Sequence, residues 1–199
     1  MDKREAEDLL DFVAMATVCD VMSLTGENRI LVKEGLKRIR HTKNIGLQAL
    51  MQACNVQPEN ISAYHFGYVL GPCVNATGRL DTARHALRLF ETGQETEAEE
   101  IARDLVDLNQ ERKELTLQGV EMAKKLCEEG GYENDPVLVL FLPDVHESIA
   151  GLIAGRIREM YNRPVFVLTR GEEGVKGSGR STENYSCLLY TSPSPRDRG

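Results

Sequence analysis

The sequence predicts an α/β protein: a mostly helical first part, one very long helix, and a strand–helix–strand unit after it. Three observations carry this. Apolar residues before position 92 recur at helical spacing. A charged, amphipathic run then continues without proline as far as Pro136. Beyond Pro136, two short apolar runs flank a helical pattern, and so close a strand–helix–strand succession requires a parallel pair.

The elements follow in order. Residues 8–19 are almost wholly apolar after Asp11, which predicts a buried helix running into Asp20 and the turn at Ser23-Leu-Thr-Gly26. A second helix is expected from Glu27 to about Arg40, with Ile30, Leu31, Leu36 and Ile39 as its apolar positions. A third covers about Ile45–Cys54 and ends before the turn at Pro58. The apolar stretch Ile61–Leu70 is expected to stop at Gly71-Pro72, and a short amphipathic helix to run from about Leu80 to Phe90.

Thr92-Gly-Gln-Glu95 fits a capping box, in which the Thr hydroxyl and the Glu carboxylate satisfy orphan backbone donors reciprocally. Gly130-Gly131 supplies the stop. Between them, positions 101, 105, 108, 112, 115, 119, 122 and 126 read Ile, Leu, Leu, Arg, Leu, Gly, Met, Leu, an apolar stripe broken by Arg112 and Gly119. A helix of this length is roughly 50 Å long at 1.5 Å per residue. A dimerising coiled coil would present such a stripe too. Because different sequence lies on either side, we expect a connector packing its stripe on its own domains, in a monomer.

Val137–Leu142 is a continuous apolar run, as in a buried strand; Ser148–Tyr161 reads as a helix and Pro164–Thr169 as a second strand. Val175–Ser181 fits either a third strand or a loop. The last residues, 188–199, lack periodicity, contain two prolines and read as an artefactual tail.

Composition narrows the function classes. With 41% hydrophobic and 28% charged residues the 199-residue chain is that of an ordinary globular protein. No apolar run nears the roughly 20 residues that span a bilayer, and the start Met-Asp-Lys-Arg-Glu lacks the apolar core of a secretory signal, so a cytoplasmic protein without a membrane partner is expected. The five cysteines are scattered and predict reduced, small apolar fillers. The net charge of −7 is concentrated: residues 94–129 carry 11 acidic and 5 basic side chains, and the remainder is nearly balanced. That leaves room for a local basic groove elsewhere.

Several residues are suited to chemistry. Asp20 ends an apolar helix, where a carboxylate calls for a cap, an arginine or a cation as partner. Asn75-Ala-Thr-Gly-Arg79-Leu80 follows Gly71-Pro72; it is either a tight turn that brings Arg79 onto a phosphate or a helix-entry turn with a surface arginine. Asp144-Val-His146-Glu-Ser148 lies where a strand ends and a helix opens, the edge at which parallel sheets bind ligands and a helix offers free N–H groups to an anion. Ser148 fits an N-cap, and Gly151 and Gly155 fit close helix packing. Lys176-Gly-Ser178-Gly-Arg180-Ser181 packs hydroxyls and cations among glycines, as a phosphate-cradling loop or a flexible basic turn does.

The order of these segments resembles the RecJ single-strand-specific exonucleases of the DHH phosphodiesterase family. The segments are Ala-Thr-Val-Cys-Asp20-Val-Met-Ser-Leu-Thr-Gly, Asn-Ala-Thr-Gly-Arg79-Leu, a long acidic helix, His146-Glu-Ser-Ile-Ala-Gly-Leu-Ile-Ala-Gly-Arg156 and Gly-Ser-Gly-Arg180-Ser. The resemblance covers roughly residues 8–185. It implies that residues 1–92 form the closing part of the DHH catalytic domain, 93–130 the connector and 131–187 the opening of the DHH-associated domain.

It further implies hydrolysis of single-stranded DNA from the 5′ end, in DNA repair and recombination, with two divalent cations, Mn2+ or Mg2+. Asp20 matches the last carboxylate metal ligand, and Asn75 and Arg79 a motif facing the substrate backbone. His146 matches a motif facing the active cleft, and Ser178, Arg180 and Ser181 the loop for a 5′-terminal phosphate. The DHH triplet and the earlier aspartates are not in the chain, so the resemblance implies a fragment inactive by itself. Within the family, a phosphodiesterase for short oligonucleotides or cyclic dinucleotides is an alternative; a non-catalytic single-strand-binding relative is another.

Overall fold

The computed structural model describes residues 9–80, 82–171 and 174–183, apart from the side chain of residue 133. The tail 188–199, Cys187 and the first eight residues lie outside the described residues. The chain divides into two compact units between Glu111 and Arg112, inside the long helix.

The first unit is helical. α1 (Leu10–Cys19), α2 (Gly26–Ile39) and α3 (Ile45–Ala53) lie close to their expected ranges. A 3-10 turn (Pro58–Asn60) leads to a short α4 (Ala63–His65), and then the fold departs from the sequence reading. Helical structure does not stop at Gly71-Pro72. It continues through a π-helical turn (Phe66–Leu70) into α5 (Gly71–Leu80). In the wider turn the Gly71 N–H donates to the Phe66 carbonyl, five residues back. A π turn just ahead of Pro72 adapts the helix to a residue that has no N–H and whose ring crowds the preceding turn. Burial of Phe66, Leu70, Gly71 and Cys73 holds the run in place. α6 (Ala83–Glu91) follows.

Met15, Ile39, Leu47, Leu50, Phe66, Leu70 and Leu89 form the core of this unit, together with Ala98, Ile101, Ala102 and Leu105 from the long helix α7 (Glu95–Gly130). Further along, Val120, Ala123 and Cys127 of α7 enter a second core. The buried positions run 98, 101, 102, 105, 109, 116, 119, 120, 123 and 127, so beyond Leu105 the centre of the stripe moves one position off the expected 108, 115, 122 and 126, of which Leu115 and Leu126 still pack partly buried on the second core. A straight helix drifts about 20° per heptad from a strict seven-residue repeat, and the buried face drifts with it. Met122 is exposed, and Asn109 and Thr116 are buried instead. Thr116 satisfies its hydroxyl on the Arg112 carbonyl, 2.7 Å away.

The expected Thr92–Glu95 box is replaced by a different one. Thr92 accepts the Gln94 N–H at 3.2 Å and donates to Glu97, whose carboxylate also takes two N–H bonds from Arg88 at 2.6 and 3.0 Å. Both partners hold the Glu97 carboxyl below its ordinary range, the Arg88 bond more strongly. Another arrangement not legible in the sequence seats the thiols of Cys54 and Cys73 3.8 Å apart.

The second unit is a three-stranded sheet with one covering helix. β1 (Leu138–Phe141) pairs in parallel with β2 (Val165–Gly171), with Leu138 opposite Val165. β2 pairs antiparallel with β3 (Gly174–Arg180), with Val165 opposite Arg180. The crossover helix α8 (Glu147–Tyr161) buries Ile149, Ile153 and Ile157 against Leu138, Leu140, Val165 and Val167. β1 is not buried on both faces as expected. Leu138 and Leu140 point into the core, whereas Val139 and Phe141 are 58% and 48% exposed, because α8 covers one face only. No described helix is long and apolar enough to cross a membrane.

Candidate functional site

The second unit brings Ser178 and Arg180 against the first turns of α8, which His146 opens, whereas Ser181 adjoins Thr182, which lines a cleft with Arg158 and Asn162 at the far end of that helix. Leu142 continues the parallel pairing by donating to Leu168 O at 2.8 Å, and the buried Thr169 hydroxyl donates to the Val145 carbonyl. These bonds fix the turn immediately before His146. His146, rather than Ser148, is the N-cap: its backbone is extended and its Nδ1 accepts from the Ser148 N–H at 3.3 Å. The Ser148 hydroxyl sits 2.6 Å from the same nitrogen. With Nδ1 occupied as an acceptor, the neutral ring carries its proton on Nε2. An imidazole in the place usually held by Ser, Thr, Asp or Asn answers the same orphan donors.

The segment Lys176–Arg180 is not a free loop but strand β3, paired along its whole length with β2. Strand alternation therefore sends Lys176, Ser178 and Arg180 to one face, the face covered by α8. There Lys176 Nζ pairs with Glu147 at 2.7 Å. Arg180 Nη1 donates to Gly179 O at 2.9 Å and lies 3.5 Å from Ser178 Oγ. A Cβ on Gly151 would stand 2.7 Å from Arg180 Nη2 and 2.9 Å from Ser178 Oγ. The guanidinium thus rests on the first turns of α8, where only glycine leaves it room. Arg180 is exposed and Ser178 partly so, and Ser181 follows the strand, partly buried. Gly155 plays no comparable part, since nothing lies within 4 Å of a Cβ placed there.

An exposed guanidinium and a hydroxyl against the first turns of a fifteen-residue helix have three features that suit an anion. The helix N-terminus carries a partial positive charge, Arg180 presents a planar fork, and Ser178 adds a hydroxyl donor, the Ser148 hydroxyl being spent on His146 Nδ1. Sequence reasoning missed Gly151 as the seat and Lys176–Glu147 as the clasp. The i, i+2, i+4 spacing of Lys176, Ser178 and Arg180 was the available signal.

The other expected residues lie in the first unit. Asp20 follows the last turn of α1 as its C-cap and is exposed, so the premise of a buried carboxylate does not hold. Its neighbour Cys19 packs its sulfur against Gly71 and donates to the Phe66 carbonyl at 3.4 Å. Burial pushes the Cys19 thiol pKa up, and the Asp20 charge adds to that. Asn75 and Arg79 lie one and two turns beyond Gly71 on α5, not in a tight loop. Asn75 is exposed and Arg79 partly buried.

No group of three or more His, Cys, Asp or Glu side chains that could hold a metal ion occurs among the described residues. Divalent cations of the Mg2+ or Mn2+ kind take several oxygen donors. Asp20 supplies at most one carboxylate, so the described residues do not fit such a centre.

No protein-family model matches the chain. Single-stranded-DNA-specific exonuclease RecJ of Haemophilus influenzae is 38% identical over 182 residues, 88% of this chain and 32% of that protein. The crystal structure of RecJ from Thermus thermophilus in complex with Mg2+ superposes with a TM-score of 0.80 at 34% identity, covering 92% of this chain and 28% of that one. The same enzyme in complex with Mn2+ gives 0.80 at 34%, over 92% and 26%. The chain spans about a quarter to a third of the length of the curated relatives it matches. In sequence and in fold, this chain is homologous to one stretch of the RecJ single-stranded-DNA-specific exonucleases.

Proposed function

We propose that this chain is the part of a single-stranded-DNA exonuclease that grips the phosphate backbone of its substrate. One observation carries the proposal: the Arg180 guanidinium and the Ser178 hydroxyl rest on Gly151, beside the helix opening capped by His146. A terminal phosphate there would take bidentate N–H bonds from Arg180 and a hydroxyl bond from Ser178, with His146 Nε2 as a further donor and Ser181 read as an adjoining contact. Asn75 and Arg79 are read as backbone contacts from the first unit, and residues 1–92, 93–130 and 131–187 as catalytic-domain end, connector and associated-domain start.

Hydrolysis in this family's manner needs divalent cations, which supply an activated water and stabilise developing charge. Asp20 would offer one ligand to such a centre. The chain by itself is read as a binder of single strands without cleavage. DNA repair and recombination are the setting proposed for the intact protein.

The test compares binding of 5′-phosphorylated and 5′-hydroxyl oligothymidylate by fluorescence anisotropy, with Arg180→Ala as control. The phosphorylated strand is expected to bind more tightly, and the preference to vanish in the variant. Equal affinity for both strands in the wild type removes the proposal. Mn2+-dependent nucleotide release by a contaminant-free preparation removes the binder-only reading.

A further inference from the structure

The connection between α2 and α3 is strongly basic. From Lys37 to Lys43 the chain carries Lys37, Arg38, Arg40, His41 and Lys43, with no carboxylate between them, in a protein of net charge −7. Lys37, Arg38, His41 and Lys43 rim a cleft of about 670 Å³, with Asp11 and Phe12 on its wall. The loop is held rigidly. The Thr42 hydroxyl donates to the buried Asp11 carboxylate at 2.8 Å and accepts the Asn44 N–H at 3.2 Å. Gln48 donates to the Thr42 carbonyl at 2.7 Å. Asn44 caps α3 by accepting the Leu47 N–H at 2.9 Å and donates to Phe90 O at 2.8 Å.

Asp11 is therefore spent inside. One oxygen takes the Thr42 hydroxyl and the other the Phe12 N–H at 2.9 Å, so it fixes the loop and presents little charge to the cleft. Among the described residues, Glu34 also stands beside these cations, paired with Lys37 at 2.7 Å. Basic residues at a helix C-terminus offset the helix dipole. That accounts for Lys37 and Arg38 in the last turn of α2, but not for Arg40, His41 and Lys43 past its end, all three exposed.

We infer that this pinned basic loop is a second contact for the phosphodiester backbone of single-stranded nucleic acid, distinct from the site at α8. The inference rests on the single-strand reading above and deepens it. Preorganised cations that need no rearrangement bind a polyanion by releasing its counterions, without base preference.

The experiment measures affinity for 5′-hydroxyl oligothymidylate across a salt series, using wild type, Arg40→Gln/Lys43→Gln and Arg180→Ala. Thermal melts confirm that each variant is folded. Removing one cation from the phosphate backbone lowers the salt slope by about 0.7 for a single strand. Removing two makes the wild-type affinity fall roughly sevenfold more than the variant's between about 50 and 200 mM salt. An unchanged slope in the double variant, while wild type binds, overturns the inference and leaves the α8 reading standing. A lowered slope in the double variant, with no 5′-phosphate preference in wild type, sustains the basic loop and removes the α8 reading. No binding by wild type removes both. If a polyglutamate peptide displaces the DNA at equal charge concentration, the loop is a site for acidic protein and the nucleic-acid assignment fails.

Discussion

Replacing Gly151 by alanine separates the fold of α8 from the site built on it. Alanine exceeds glycine in helix propensity by about 1 kcal/mol. At Gly155, where a Cβ meets nothing within 4 Å, that gain is expected almost whole, roughly 0.5–1 kcal/mol. At Gly151 the new methyl meets Arg180 Nη2 at 2.7 Å and Ser178 Oγ at 2.9 Å. Both are side-chain ends rather than backbone, so they yield and offset much of the gain. Net stability is expected within about 0.5 kcal/mol of wild type. The displaced guanidinium is what changes. Losing a charge-assisted hydrogen bond worth about 1.5–3 kcal/mol weakens 5′-phosphate binding roughly ten- to a hundredfold. Urea denaturation followed by circular dichroism reads the first quantity, and anisotropy with phosphorylated oligothymidylate the second. Gly155→Ala should be more stable with unaltered affinity. Should Gly151→Ala bind the phosphorylated strand as wild type does, Arg180 is not held in place by that glycine. Should it unfold by more than about 2 kcal/mol, the contact is rigid core packing instead.

Gly35→Ala in α2 is expected to destabilise by about 1–3 kcal/mol in the same urea assay, because its Cβ would run into the Leu10 carbonyl and Ala14, which cannot swing aside. The Glu97 carboxyl, lowered by Arg88 and Thr92, contributes stability that is present above the ordinary carboxylate range and lost as pH falls through its lowered value. Acid melts should therefore lose the Arg88–Glu97 contribution below about pH 4, and Glu97→Gln should flatten that limb. Cys19, whose thiol burial pushes up, should react with iodoacetamide at neutral pH more slowly than the same thiol in urea-unfolded chain, as read by peptide mass spectrometry.

Periodicity made the helices legible, and the apolar runs around Ser148–Tyr161 made the parallel pair legible, because both patterns are local. What failed was set by partners far away in sequence. Asn75–Leu80 has turn-like composition, yet burial of Phe66, Leu70 and Cys73 draws it into α5. Gly174–Arg180, with three glycines and little β propensity, fits a strand or a loop equally in sequence, and it is a strand because β2 offers an edge to pair with. Asp20 was expected inside because its helix is apolar all round, but Val13, Val21 and Met22 around it are exposed. The residues of the α8 site were readable as types. Their convergence on Gly151 was not, since it follows from which face of β3 the covering helix takes.

The π turn at Phe66–Leu70 sets the phase of everything after it. It absorbs a residue without the usual rotation, and that leaves Cys73, Ala76 and Thr77 facing inward and Asn75 outward. Deleting one residue there, so that ordinary pitch returned, would swing the downstream helix by about 100°. The surface bearing Asn75 and Arg79 would then be traded for one of small buried side chains, with hardly a change in helix content.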